Sequence, residues 1–450
     1  MTTKSVFPIR NRWNNTDGRI MKKGILLSIS LFLVITAVSG CGIPNARPDT
    51  AATQAPAMEA VTEQTESVPG EKVVPEYESA PGEESMPGNE AMASEPPAQA
   101  TDWEEMEPER TMELQFANQF SVDYYPGGYK KITITDDQRF LLIPEGSAVP
   151  TNLEEGLVCL QQPLNQIYLV ATAAMDYFVQ LQSVDRITLS SQKESGWYLD
   201  PAREAMESGQ MLYAGKYSTP DYELIVSEGC DLAIENTMIY HTPEVLEQLD
   251  KLGIPAMVEK SSYETNPLGR MEWLKFYAAL LDQEETAETY FDELTRELQT
   301  VIDQEPTDLK VAFFYINSQG AVNVRKSGDY VAKSIELAGG QYVSFDESEE
   351  ENALSTMTIQ METFYSGARD ADILIYNSTI DGELQTMDQL LQKSSLLADF
   401  KAVQAGNVWC IEKNFYQESL ELGNMILDIN RILTDQDTEE ASLHFLHKLK

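Results

Sequence analysis

Thr219-Pro-Asp-Tyr-Glu-Leu-Ile-Val-Ser-Glu-Gly-Cys-Asp-Leu-Ala-Ile234 decides the fold class. Tyr222–Ser227 has helical patterning, and Leu232–Ile234 is a short apolar run that reads as a strand. The same exchange repeats on both sides. Upstream, Ile167–Val170 reads as a strand, Ala174–Leu181 as a helix, Ile187–Leu189 as a strand and Pro201–Glu207 as a helix. Downstream come a helix over Pro243–Leu252 and a strand over Ala256–Val258. Short apolar strands alternating with helices predict a parallel α/β sheet.

Residues 269–303 form the longest helical candidate, with Met271, Leu274, Ala278, Leu281, Phe291, Leu294, Leu298 and Ile302 at helical spacing. At 1.5 Å per residue such a rod would reach about 50 Å, enough to carry the chain from one lobe into another. The α/β pattern then restarts: strand Val311–Ile316, helix Tyr330–Leu337, strand Tyr342–Phe345, helix Ile359–Ser366, strand Ile373–Tyr376, helix Met387–Leu391, strand Val408–Ile411 and helix Leu422–Leu433. The expected fold is α/β, with two Rossmann-like lobes joined by a single long α-helix and a ligand cleft between them. The lobes are expected over 111–268 and 304–436, with the connecting helix over 269–303 and a tail over 437–450. Alternating residues at 114–143, broken at Pro126-Gly-Gly and Asp136-Asp, add a hairpin or meander ahead of the first lobe.

Residues 1–41 read as an export signal. Lys22-Lys23 precede the apolar run Ile25–Val38 and the small residues Ser39-Gly40 before Cys41. The run is short for a membrane span. Val-Ser-Gly-Cys resembles a bacterial lipobox, which implies lipid on Cys41 and a protein facing outward. Met21 opens a signal of ordinary length, so residues 1–20 are a candidate untranslated extension. Residues 42–110 hold 10 of the 21 prolines and 16 acidic side chains against 3 basic. That composition cannot offset chain entropy by burial, so a disordered acidic tether is expected.

The whole chain has 450 residues, a net charge of −41 and 42% hydrophobic residues, which excludes global disorder and disfavours a nucleic-acid partner. Four cysteines make no disulfide scaffold, and Cys159, Cys230 and Cys410 read as small buried hydrophobes. Of the three histidines, His444 and His447 fall in the expected tail, which argues against a direct Zn or Mn site. No Gly-x-Ser-x-Gly, Walker A or His-Glu-x-x-His motif is present, so no enzyme is expected.

Several stretches together resemble class III substrate-binding proteins of ABC importers, the group handling iron–siderophores, haem and cobalamin. They are Ile167-Tyr-Leu-Val-Ala-Thr-Ala-Ala, the 219–234 segment, Leu249-Asp-Lys-Leu-Gly-Ile-Pro-Ala, Val311-Ala-Phe-Phe-Tyr, Val331-Ala-Lys-Ser-Ile-Glu-Leu-Ala-Gly-Gly, Ala371-Asp-Ile-Leu-Ile and Val403-Gln-Ala-Gly-Asn-Val-Trp. The resemblance spans about 166–433. It departs from the family where Glu-Gly-Cys-Asp replaces the usual Lys-Pro-Asp and in the extra strands at 114–143. It implies a monomeric extracytoplasmic receptor, lipid-anchored to the membrane, that passes its cargo to an ABC permease and its ATPase. No intrinsic cofactor is implied; the ligand would be an iron–siderophore, haem or a corrinoid. The rival within the same fold is a ligand-sensing or scavenging lipoprotein uncoupled from a permease.

A bulky ligand with an apolar body needs aromatic surface and a few polar anchors. Loops expected at strand ends offer Trp197, Tyr198, Met238, Tyr240, His241, Tyr263, Asn377, Phe415 and Tyr416. Packing against their own lobe is the alternative for each. His241 is either an axial ligand to haem iron or corrinoid cobalt, or a partner of the helix that begins at Pro243. Arg325, Lys326 and Arg270 are candidates for an anionic ligand or for ordinary salt bridges. The resemblance further implies one carboxylate per lobe that docks on permease arginines, matched here by Glu223 and Glu362.

Overall fold

The computed structural model describes residues 101–346, 356–434 and 443–450. Cys41, the export signal and residues 42–100 of the acidic linker lie outside the described residues. Residues 101–110, expected to belong to that linker, are instead part of the fold. Trp103 is buried in a 3-10 turn against Tyr125, their rings 4.5 Å apart, and Asp102 bridges to Thr151. The partners that bury Trp103 are Tyr125, Tyr129, Leu141, Ile143 and Leu157, all distant in sequence, so linker-like composition concealed the boundary.

The accessory sheet comprises β1 (Arg110–Thr111), β2 (Phe120–Tyr124), β3 (Lys130–Ile134), β4 (Gln138–Ile143) and β5 (Leu157–Gln161), hydrogen-bonded in that order. The first four are antiparallel, as the meander predicts, while β5 joins β4 in parallel. Period-2 alternation sends Phe120, Val122, Ile132, Ile134, Phe140 and Leu142 into the main core. Leu141 and Ile143 point the other way and cover Trp103.

The first lobe follows. Its elements are β6 (Ile167–Leu169), α1 (Met175–Gln180), β7 (Ile187–Ser190), α2 (Asp200–Glu207), β8 (Leu212–Tyr213), the small hairpin β9 (Gly215–Lys216) and β10 (Thr219–Pro220), α3 (Tyr222–Ser227), β11 (Leu232–Glu235), α4 (Glu244–Lys251) and β12 (Ala256–Val258). The five-stranded sheet is wholly parallel in the order β12-β11-β6-β7-β8. Strand order reverses between β6 and β11, and ligands of open α/β sheets bind outside the carboxyl ends at such a reversal.

The rod expected over 269–303 is two helices, α5 (Pro267–Leu281) and α6 (Glu284–Ile302), with Asp282 left-handed at φ 58° between them. Only α6 leads into the second lobe. Lys130 from β3 fixes the elbow. Its buried ammonium donates to the Ala279 carbonyl at 3.0 Å and to the carboxylates of Asp282 and Glu284 at 2.6 and 2.5 Å. The cation thus sits at the end of one helix and joins acids at the start of the next, as both helix dipoles favour.

Helix α5 is buried almost all round. The accessory sheet covers one side, and the link is made by carboxylates. Glu272 accepts the backbone N–H groups of Gln115, Phe116 and Ala117, and Glu264 those of Asn118 and Gln119. Gly269 lets the loop approach: a Cβ there would stand 2.9 Å from the Phe116 carbonyl oxygen.

The second lobe contains β13 (Lys310–Ile316), β14 (Val322–Arg325), α7 (Tyr330–Leu337), β15 (Gln341–Tyr342), β16 (Thr356–Ile359), α8 (Met361–Ala368), β17 (Ile373–Tyr376), α9 (Ser378–Asp381), α10 (Met387–Lys393), α11 (Lys401–Ala405), β18 (Val408–Ile411), α12 (Leu422–Leu433) and β19 (Leu446–Lys448). The sheet runs β16-β14-β13-β17-β18-β19, with β15 also on β13. β13, β17 and β18 are parallel, while β14, β16 and β19 add antiparallel edges that the sequence reading lacks. The expected tail is therefore woven into the lobe, with Phe445, Leu446 and Leu449 buried. The helix expected from Ile359 begins only at Met361, because Thr356–Ile359 pairs with β14.

Candidate functional site

The loops at the carboxyl ends of β6 and β7 meet the segment that follows β18. Gln417 clamps the first lobe with both ends of its amide: Nε2 donates to the Gly196 carbonyl at 2.7 Å, and Oε1 accepts the Tyr198 N–H at 2.8 Å. Ser419 Oγ donates to the Ala173 carbonyl at 2.9 Å, and the Leu420 N–H donates to the Asp176 carboxylate at 2.8 Å. These four bonds stitch the lobes along one seam. Burial pushes the Asp176 carboxyl up to about 7, against the Leu420 hydrogen bond that favours its charge.

On the second lobe, three strand ends converge on one phenol. Arg325, the last residue of β14, hydrogen-bonds the Tyr416 hydroxyl through a terminal guanidinium nitrogen. Asn377, directly after β17, donates to the same hydroxyl at 3.2 Å. Tyr416 itself follows β18. Asp329 caps α7 by accepting the Val331 N–H and lies 3.5 Å from Arg325. Phe415 is buried between Tyr330, Tyr416 and Phe445.

The first lobe contributes Arg270, in the first turn of α5. Its guanidinium carbon lies 4.8 Å from the ring centre of Tyr330, which opens α7 in the other lobe. Tyr177 donates to the Arg270 carbonyl at 2.7 Å and stacks on Tyr277. Glu259, just past β12, is buried and takes the Ser261 N–H at 2.8 Å, and burial pushes its carboxyl up. Guanidinium groups over phenol rings, fed from both lobes, suit a ligand that is flat or bulky and carries negative charge.

The candidate residues divide. Arg325, Asn377, Phe415 and Tyr416 come together. Tyr198 reaches the same seam through its N–H, with its ring half exposed. Trp197 is only 2% exposed and packs into the main core, and its indole N–H meets no acceptor among the described residues. Tyr240 and Tyr263 instead flank the buried Lys260 ammonium, at 4.9 and 4.5 Å, where it pairs with Asp136 of the accessory sheet. Tyr240 lines a cavity of about 550 Å³ there, together with Val158, Leu246, Ile254 and Ala256. Met238 and His241 are exposed on the 3-10 turn after β11. Glu223 and Glu362 are exposed in the first turns of α3 and α8. Lys326 is half-buried beside Arg325.

The sequence reading missed Asp176, Gln417, Glu259 and Glu235. An acid at 176 inside the apolar run Ala173–Phe178 was the available signal for the first. Glu235 ends β11 fully buried, neither carboxyl oxygen has a partner among the described residues, and burial pushes its carboxyl up to about 8. His444 and His447 do not trail free either. His444 Nε2 lies 2.7 Å from Glu418, and His447 Nδ1 lies 2.7 Å from Glu412. Glu383, Glu412 and His447 gather ligand atoms within 4.8 Å, but Nε2 of His447 is also bonded to the Leu384 carbonyl at 2.7 Å. Both ring nitrogens meet acceptors, the arrangement of an imidazolium rather than of a metal ligand.

Residues 169–414, more than half of the chain, match the family described as periplasmic binding protein. The chain belongs to the periplasmic binding protein family. The seam described above joins the two lobes within and just beyond the matched stretch. The chain is 24% identical over 337 residues to an uncharacterized lipoprotein of Methanocaldococcus jannaschii, covering 71% of this chain and 78% of that one. Among solved structures it is similar to an ABC transporter substrate-binding protein from Listeria monocytogenes, at 15% identity and TM-score 0.44, covering 60% of this chain and 98% of that one. It is also similar to the periplasmic vitamin B12 binding protein BtuF of Vibrio cholerae, at 18% identity and TM-score 0.44, covering 61% and 99%.

Proposed function

We propose that this periplasmic binding protein captures an iron complex, a ferric siderophore or haem, between its lobes and delivers it to an ABC permease. The observation that carries the reading is the convergence of Arg325, Asn377 and Tyr416 from three strand ends of one lobe, facing Arg270 of the other across Tyr330. Aromatic surface for a chelate body and guanidinium groups for its charge meet at the seam between the lobes, and clefts at such interfaces are the usual place for a small ligand. The protein acts as a receptor and not as an enzyme. Lipid on Cys41 holds it at the outer face of the membrane, a reading supported by the lipoprotein relative. The exposed carboxylates of Glu223 and Glu362, one on each lobe, engage the permease. Rim charges of this kind set orientation and association rate more than affinity.

The test is a titration of the full chain, purified in detergent, with ferric siderophores, haemin and cyanocobalamin, following quenching of tryptophan and tyrosine fluorescence. Saturable quenching by an iron complex at micromolar concentration is expected. Saturation by cyanocobalamin alone would reassign the cargo to corrinoids, and no response to any of the three would refute the chelate reading.

A further inference from the structure

Asp176 is a buried acid set on the seam itself. It lies in the first turn of α1, is only 7% exposed, and takes the Leu420 N–H of the other lobe at 2.8 Å, its one hydrogen bond among the described residues. Leu420 stands two residues before α12, and that helix packs on both α5 and α6. The bond therefore joins α1 to the start of the element on which the two lobes rest together.

The charged and titratable groups around this carboxyl come from several segments. Glu418 and Glu421 flank Leu420, Tyr290 approaches from α6, and His444 approaches from the stretch before β19 but is already engaged by Glu418 at 2.7 Å. Tyr177, its neighbour on α1, turns away to the Arg270 carbonyl. Asp176 thus has two acids for company and no cation in ion-pair contact among the described residues. An ionised carboxylate in that position is desolvated and repelled, whereas the neutral acid accepts the Leu420 N–H without either penalty. Burial, then Glu421 and Glu418, push its pKa from 3.8 up to about 7, against the Leu420 hydrogen bond. When the seam separates, the carboxyl meets water and regains its ordinary acidity. The closed seam is therefore favoured in full below pH 3.8 and loses that preference as pH climbs through about 7.

We infer that Asp176 is a proton-operated latch between the lobes: the neutral carboxyl holds the start of α12 against α1, and loss of its proton to water loosens the seam. The protein grips at mildly acidic pH and yields above neutrality. This goes beyond the chelate reading, because it concerns the seam whatever the cargo.

The test is hydrogen–deuterium exchange of the ligand-free full chain from pH 5 to 8.5, read by mass spectrometry on peptides covering 173–178 and 417–421 and corrected for the intrinsic exchange rate. Protection of both is expected to fall by about tenfold or more across that range, a factor of ten being what one pKa unit carries. Asp176→Asn keeps an acceptor for the Leu420 N–H but cannot ionise, so its protection should stay level. His444→Gln should still show the fall, and β17 should not. A level wild-type profile overturns the inference, and so does a fall of equal size in β17; both readings hold even if Asp176→Asn does not fold. A fall that persists in Asp176→Asn, or disappears in His444→Gln, assigns the titration to another group and overturns it too. None of these outcomes bears on the cargo titration, so either proposal can fail alone.

Discussion

Replacing Glu235 by Gln should make the first lobe more stable at alkaline pH, and the size of the effect follows from its surroundings. The carboxyl is fully buried at the end of β11, and among the described residues neither its oxygens nor the nearby Tyr168 hydroxyl has a hydrogen-bond partner. Burial raises its pKa from 4.5 to about 8. A raised folded-state pKa contributes stability in full below the unfolded value and loses it as pH climbs to the folded one. Between pH 4.5 and 8 the loss is about 1.4 kcal/mol per pH unit, and it levels off above that. The sum is roughly 3–5 kcal/mol once local relaxation around the charge is allowed for. Glutamine has nearly the same shape and no charge to desolvate. Urea unfolding of both proteins, followed by tryptophan fluorescence at half-unit steps from pH 5 to 9, should give similar stabilities near pH 5 and a widening advantage for Glu235→Gln up to pH 8. Parallel profiles, or a variant less stable at pH 8.5, would mean that the carboxylate is ionised and paired, and the reasoning would fail.

Other outcomes follow from single contacts. Lys130→Met removes the cation that ties the α5–α6 elbow to β3 and should cost roughly 2–4 kcal/mol in denaturant unfolding; a loss under 0.5 kcal/mol would mean the elbow holds without it. Reversing Glu223 and Glu362 to Lys should abolish uptake into cells while leaving ligand affinity within twofold, and lost affinity would place these acids in ligand binding instead. His447 is pushed up to about 10 by Cys410, the Leu384 carbonyl and Glu412. Its contribution is therefore present in full below about pH 6.5 and lost as pH rises through 10, so His447→Gln should flatten the stability profile between those limits. An unchanged profile would count against the imidazolium.

Much of this architecture is written locally. Ile373–Tyr376 and Val408–Ile411 are unbroken apolar runs because both faces of an inner strand are covered, and their limits, like those of the edge strand Ala256–Val258, match the structure. Tyr222–Ser227, Tyr330–Leu337 and Leu422–Leu433 also coincide with the observed helices. The elbow at Asp282 was not legible. Apolar residues continue at helical spacing on both sides, no Gly or Pro marks the stop, and the determinant is a lysine 152 residues away. β19 was lost for a similar reason, since its three residues become a strand only through pairing with β18. At the seam, Tyr416 and Arg325 stood out by residue type, whereas Gln417 and Asp176 act through backbone partners in the other lobe, which no local pattern reveals.

The carboxylate grip of Glu264 and Glu272 on residues 115–119 bears on how this chain can be dissected. A helix clothed in apolar side chains on nearly every side needs a neighbour on each, and part of α5's clothing is supplied from upstream of the stretch that matches the family. A fragment trimmed to that stretch would expose Trp273 and Phe276, which rest on Phe120, and would strand two buried acids. The smallest transplantable unit therefore starts no later than Gln115.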